Sequence, residues 1–154
     1  MMDTLEVLVV DDEEGMRLGI ERVLNNSTVY VPHLEKEISI ELYQASTGEE
    51  GLEMIDRIKP HILLLDNKLP GMSGIDVLDA LSENEPDLVP IMITAYASIE
   101  IAVKATKFGA YDFLPKPFTP DELKTVVQKA ANHAALTLHA KQLAALAFEQ
   151  LAHR

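Results

Sequence analysis

Five polar residues stand at the ends of apolar runs, and their types suit phosphorus chemistry. Asp11 and Asp12 close "LEVLVV", Asp66 closes "HILLL", Thr94 closes "LVPIMI", and Lys116 follows "AYDFLP". Carboxylates held close together repel one another, and a hard divalent cation relieves the repulsion. Mg2+ takes few carboxylates and completes its shell with water and phosphate oxygens. An aspartate is also a nucleophile toward phosphorus, forming an acyl phosphate. A lysine neutralises a phosphoryl oxygen as a compact charge, and a threonine hydroxyl donates to another. Phosphoryl transfer requires mainly positioning and charge neutralisation, which this set supplies. Each residue alone has a plainer reading. Acids favour helix starts, aspartates favour turns, threonines favour strands, and a lysine is usually solvated. Their joint order along the chain favours the chemical reading.

The elements that would position these residues alternate. Short apolar runs at 5–10, 38–42, 61–66, 88–94 and 110–115 read as strands. Helical periods follow each, at 13–26, 48–59, 74–84, 98–109 and 119–133. Met16, Ile20, Val23 and Leu24 share one helical face, as do Leu52, Ile55 and Ile58. Thr47, Ser98 and Thr119 stand at N-cap positions, and Pro120 follows at the first helical position. "VLVV", "ILLL" and "IMI" lack polar alternation, which predicts strands buried on both faces in a parallel sheet between helices. In such a sheet the carboxyl ends of the strands share one edge, where ligands bind. Three carboxylates, a hydroxyl and an ammonium are therefore expected in one cleft.

Two stretches exceed a minimal five-unit domain. Residues 27–37 lengthen the link between the first helix and the second strand, and Pro32 keeps that link from continuing the helix. Residues 134–154 are rich in alanine and leucine, and neither glycine nor proline interrupts the chain from Asp121 to Arg154. A helix is expected there, longer than the domain needs.

The 154 residues suit one domain with an appended element, and 47% hydrophobic residues suffice for a core. A formal net charge of −12 repels phosphate backbones, so direct nucleic-acid binding by this chain is not expected. The absence of cysteine rules out disulfide, thiolate-metal and thiol-nucleophile chemistry. The start has no basic region ahead of an apolar stretch, so no secretory leader is expected. No apolar run is long enough to span a bilayer, and a cytoplasmic location is expected. The histidines lack metal-ligand spacing with one another along the chain.

The stretches "VLVVDDEEG", "ILLLDNKLPGMSGIDVL", "IMITAYAS" and "GAYDFLPKPF" resemble the receiver domains of bacterial two-component response regulators, over about residues 5–130. The resemblance implies a flavodoxin-like, doubly wound (βα)5 fold with a central five-stranded parallel sheet, plus a long C-terminal helix. It implies Asp66 as phosphoacceptor and Mg2+ held by Asp11, Asp12, Asp66 and the backbone carbonyl of Lys68. Thr94 and Lys116 would contact the phosphoryl group. Lys116–Pro117 matches a bond that is typically cis in the family. Phe113 matches the switch aromatic, where many members carry Tyr. Lys68 and Tyr96 stand two residues after Asp66 and Thr94, respectively, and each reads equally as an influence on the phosphoryl lifetime or as an ordinary exposed loop residue. "GAYDFLPKPFTPDEL" resembles receivers of the nitrogen-regulation type. The implied organisation is a receiver at 1–132 and a helical linker at 133–154 leading to an output module.

The implied partners are a sensor histidine kinase and a second copy of the chain. The second copy would meet the face of the fourth helix, fifth strand and fifth helix, or the C-terminal helix, where Leu136, Leu143 and Leu146 form a partial heptad seam. No membrane partner is expected. Two alternatives stand beside this. "FEQLAHR" resembles the start of the phosphorylated helix of sensor kinases, which would make the chain the receiver of a hybrid kinase, with His153 as a second acceptor. A Mg2+-dependent hydrolase of the aspartyl-phosphate type would need an acid two residues past the nucleophile, where this chain has Lys68.

Overall fold

The computed structural model describes residues 2–25, 27–81, 84–95 and 98–152. In chain order it contains β1 (Thr4–Val10), α1 (Glu14–Leu24), β2 (Thr28–Val31), a 3-10 turn (Pro32–Leu34), β3 (Lys36–Ala45) and α2 (Gly48–Ile58). It continues with β4 (Ile62–Leu65), α3 (Gly74–Leu81), β5 (Val89–Thr94), α4 (Ile99–Lys107), β6 (Asp112–Pro115) and α5 (Pro120–Ala152).

The architecture is flavodoxin-like α/β, doubly wound, but the sheet has six strands rather than five, in the order β2-β3-β1-β4-β5-β6. Five are mutually parallel, and these are the five read from the sequence. The sixth, β2, lies inside the 27–37 link and pairs antiparallel with β3, Thr28 opposite Ser39 and Val31 opposite Lys36. "TVYV" alternates, with Val29 and Val31 buried and Thr28 and Tyr30 exposed. That is the pattern of a strand covered on one face only. The pairing also extends β3 beyond the expected 38–42.

The central strands feed two cores, which explains their lack of polar alternation. Val7 and Val9 of β1 and Ile62 and Leu64 of β4 join a layer with Ile20 and Leu24 of α1 and Leu123 and Val127 of α5. Their neighbours Leu8, Val10, Leu63 and Leu65 face the opposite layer with Ile55 of α2, Val77 and Leu78 of α3 and Ala105 of α4. Side chains alternate across a strand, so a strand with a helical layer on each side is apolar at every position.

The helix ends follow their capping residues. Thr47 accepts from the Glu50 N–H, and Ser98 accepts from the Ile101 N–H. At α5 the Thr119 hydroxyl accepts from Glu122 N–H while the Glu122 carboxylate accepts from Thr119 N–H. This reciprocal pair satisfies two backbone donors at the helix start. The 33 residues of α5 correspond to about 50 Å of helix. Its buried positions run from Leu123 to Ala135, and residues 140–152 are exposed. No described helix is long and apolar enough to cross a membrane.

Candidate functional site

The sheet's own hydrogen bonds carry the polar residues to one rim. Past the end of β1, Asp11 N–H donates to Ala45 O of β3 (3.1 Å). Past the end of β4, Asp66 N–H donates to Val10 O of β1 (3.0 Å). Past the end of β6, Lys116 N–H donates to Thr94 O of β5 (3.0 Å). Each of these residues is thus held by the backbone of a neighbouring strand. A parallel ladder puts all these carboxyl ends on the same edge.

The side chains converge there. Lys116 Nζ donates to Asp11 Oδ2 at 2.7 Å and to Asp66 Oδ2 at 3.2 Å, and lies 3.9 Å from Glu13 Oε1. Carboxylate oxygens of Asp11, Asp12 and Asp66 lie within 4.8 Å of one another. Asp11 and Asp66 are buried, while Asp12 is exposed. A cleft of about 220 Å³ opens over them, lined by Asp12, Glu13, Asp66, Lys68, Ala95 and Lys116. Burial pushes the Asp66 carboxyl above its ordinary value. The Lys116 charge opposes this, the Asp11 charge adds to it, and bonds from Lys116 and the Lys68 N–H oppose it further. Burial alone would lower the Lys116 ammonium, but its hydrogen bond to Asp11 and the charges of Asp11 and Asp66 outweigh it, so the net shift is upward.

The loop behind Asp66 is tightly built. Asn67 O accepts from the N–H groups of Leu69 (3.1 Å) and Gly74 (2.9 Å), and Asn67 Oδ1 accepts from Ile75 N–H (3.0 Å). Gly71 has φ +75°, in the left-handed region. A Cβ at Gly74 would lie 2.5 Å from Asp66 O and 2.8 Å from Asn67 Cα, so only glycine fits. The loop delivers Lys68 N–H to Asp66 Oδ1 at 3.3 Å. The Lys116–Pro117 peptide is cis.

Of the residues named from the sequence, Asp12, Asp66, Lys68 and Lys116 line the cleft, and Asp11 lies beneath it, bonded to Lys116. Thr94 is fully buried at the end of β5. Phe113 is not part of the cleft lining; it is half-buried on β6, in register with Met92, and packs on the core layer of Leu8 and Val10. Tyr96 and His153 lie outside the described residues. Three contributors escaped the sequence reading. Arg17 Nη1 donates to Asp11 O (2.7 Å), Glu13 lines the cleft, and Asn67 ties the loop after Asp66 to α3. Only Asn67 carried a signal, as a turn-forming residue directly after a strand-ending aspartate.

Three carboxylates with one side open to solvent form a hard-oxygen donor set, which fits a Mg2+ ion completing its shell with water. A buried nucleophilic carboxylate beside an ammonium is equipped for charge-neutralised transfer of a phosphoryl group.

Comparison with known proteins agrees with this geometry. The family described as the response regulator receiver domain matches residues 7–128. The regulatory protein LuxO of Vibrio cholerae is 41% identical over 106 residues, covering 69% of this chain and 22% of LuxO. The DNA-binding transcriptional regulator NtrC of Escherichia coli is 35% identical over 127 residues, covering 82% of this chain and 25% of NtrC. A crystal structure of NtrX from Brucella abortus superposes with a TM-score of 0.78 at 30% identity, covering 91% of this chain and 29% of that one. The chain thus spans about a quarter of the length of these relatives. LuxO and NtrC are regulatory proteins by name, and these relatives do not favour the hybrid-kinase alternative.

Proposed function

The chain belongs to the response regulator receiver domain family, a family of phosphoacceptor signalling domains, and from that premise we propose that Asp66 is its phosphoacceptor. The donor is the phosphohistidine of a sensor histidine kinase. A carboxylate oxygen of Asp66 attacks phosphorus in line, the P–N bond breaks, and the histidine leaves with its electron pair. Lys116, held between Asp11 and Asp66 at 2.7 and 3.2 Å, turns from carboxylate partner to phosphoryl partner. The Thr94 hydroxyl and Lys68 N–H donate to the phosphoryl oxygens. Asp11, Asp12, Asp66 and the Lys68 carbonyl would hold Mg2+, which supplies positive charge against the phosphoryl oxygens. The chain's only catalysis is its own phosphorylation and dephosphorylation.

Output follows as a two-state change biased by that local charge. Thr94 moves toward the phosphoryl group, and Phe113 turns into the space it leaves. The face of α4, β6 and α5 then changes shape; Ile99, Val103 and Tyr111 are its exposed apolar residues. A second copy would meet that face or the exposed end of α5. Residues 1–132 act as the receiver and 133–154 as a linker toward an output module, in a cytoplasmic protein.

The observation that carries this reading is the single rim that joins Asp11, Asp12, Asp66 and Lys116. The test is incubation with Mg2+ and a small phosphodonor such as acetyl phosphate. Wild type gains one phosphoryl group per chain by intact mass, and Asp66→Asn gains none. An Asp66→Asn chain labelled as fully as wild type would remove Asp66 from the role.

A further inference from the structure

At the other end of the sheet a second group of metal-ligating side chains has no part in the chemistry above. His33, in the 3-10 turn of the inserted hairpin, meets His139 of α5 with ring centroids 3.9 Å apart and planes inclined by 56°. Among the described residues neither ring takes part in a hydrogen bond. Both line a cavity of about 220 Å³, with Met2, Leu34, Leu138 and Gln142 among its walls. Gln142 stands three positions after His139, so it shares that helical face. The group thus gathers two imidazoles, a thioether and a side-chain amide beside one cavity.

This place is remote from the acidic cleft. His33 precedes the first residue of β3, Lys36, whereas the cleft lies beyond its last, Ala45. Nine strand steps separate the two ends of β3, about 30 Å. The donors are also of a different class. The cleft offers carboxylates suited to Mg2+. The two imidazoles suit first-row transition ions such as Zn2+, Cu2+ and Ni2+, with Cu2+ bound most tightly among the divalent series.

We propose that His33 and His139 form a binding site for a divalent transition-metal ion, which staples the inserted hairpin to α5. One ring comes from each element, so a shared ion joins two parts of the fold otherwise linked by packing and by the bonds of the Gln128 amide to the Tyr30 backbone. The staple sits where α5 leaves the body of the domain, between its last buried residue, Ala135, and the exposed stretch beginning at 140. Occupancy would therefore fix the direction in which the helix leaves, and does so independently of Asp66.

The test uses the untagged chain in millimolar Mg2+, which competes for the acidic cleft. Cu2+ and Zn2+ are titrated calorimetrically, and histidine ring resonances are followed by NMR. Wild type takes up one equivalent, Cu2+ more tightly than Zn2+, and the His33 and His139 resonances change first. His33→Ala and His139→Ala each weaken uptake by at least about tenfold, because even an outer-shell partner contributes about 10–100-fold. His133→Ala, which removes a ring stacked on Tyr111 rather than on the pair, leaves uptake unchanged. Circular dichroism and labelling by acetyl phosphate verify that the variants are folded. Uptake that is unchanged in His33→Ala and His139→Ala overturns the proposal. So does uptake abolished by Asp12→Asn alone, which would place the ion in the acidic cleft.

Discussion

Replacing Lys116 by Met isolates the electrostatics of the rim. The side chains of Lys116, Asp11 and Asp66 are 7%, 0% and 6% exposed, so solvent screens them weakly. Without the ammonium, two carboxylates whose oxygens lie within 4.8 Å would face each other with little to balance them. At an effective dielectric of about 20, like charges at that separation repel by roughly 3 kcal/mol. Removing one partner of a buried ion pair costs about 3–5 kcal/mol, consistent with that figure. Folded domains are stable by only about 5–15 kcal/mol, so the loss is easily measured. Urea denaturation at neutral pH with EDTA is expected to show a lower midpoint for Lys116→Met, the slope being unchanged. Millimolar Mg2+ should narrow the gap, because a cation among the carboxylates replaces the missing charge. Adding Asp66→Asn should recover most of the repulsive part, since only Asp11 then remains buried and charged. Equal stability of wild type and Lys116→Met in EDTA would refute the reasoning, because the lysine would then not be neutralising the pair.

Gly74→Ala should destabilise by about 1–3 kcal/mol in the same denaturation assay and slow labelling by acetyl phosphate, since its Cβ would press on the backbone of Asp66 and Asn67. Burial lowers the His61 imidazole below its ordinary 6.5, so the unfolded chain binds a proton first as pH falls. Stability should therefore decline from about pH 6.5 downward until the folded ring also titrates. His61→Asn keeps an acceptor for the Glu6 N–H, now bonded to Nδ1 at 3.0 Å, and should flatten thermal midpoints across that interval. A chain ending at Gln142 loses, among the described residues, only exposed ones and should melt within a few degrees of wild type. One ending at Asn132 loses buried Ala134 and Ala135 and the packing of Leu138, which should lower its melting midpoint clearly.

The parts of the fold legible in the sequence were those under the strongest physical constraint. "ILLL" of β4 is fully buried, and no exposed element has use for such a run, so both its strand state and its depth could be read. Asp11 and Asp66 were legible for the opposite reason: a charged residue at the end of a buried run has no packing role to explain it, whereas Lys116 was legible from its place in "LPKPF" directly after a strand. The strand at 28–31 escaped because it is four residues long, half exposed and stopped by Pro32. Its alternating pattern is informative only once β3 is known to offer an open edge. Arg17 was invisible because its contact is to a backbone carbonyl, a group present at every position. Phe113 illustrates a different limit, since its half-buried packing is a property of one state and its proposed rotation concerns two.

The inserted strand and the long helix were read as two separate departures from a five-unit domain, but structurally they are one. As the outer strand of the sheet, β2 would present unpaired backbone groups, a template for unwanted strand pairing. Gln128 of α5 occupies that edge: its amide accepts from Tyr30 N–H (3.1 Å) and donates to Tyr30 O (2.5 Å), as a neighbouring strand would. In return, the hairpin widens the surface on which α5 lies. The family match ends at residue 128, yet Ala130, Ala131, Ala134 and Ala135 remain buried beyond it. Alanine is what close approach of a helix to such a surface demands, and alanine also favours the helix itself. The added strand thus extends the length over which α5 is held by the domain that carries Asp66. A movement of the domain's helical layer would reach residues 136–152 through a rod anchored on that platform, not through a loose tether.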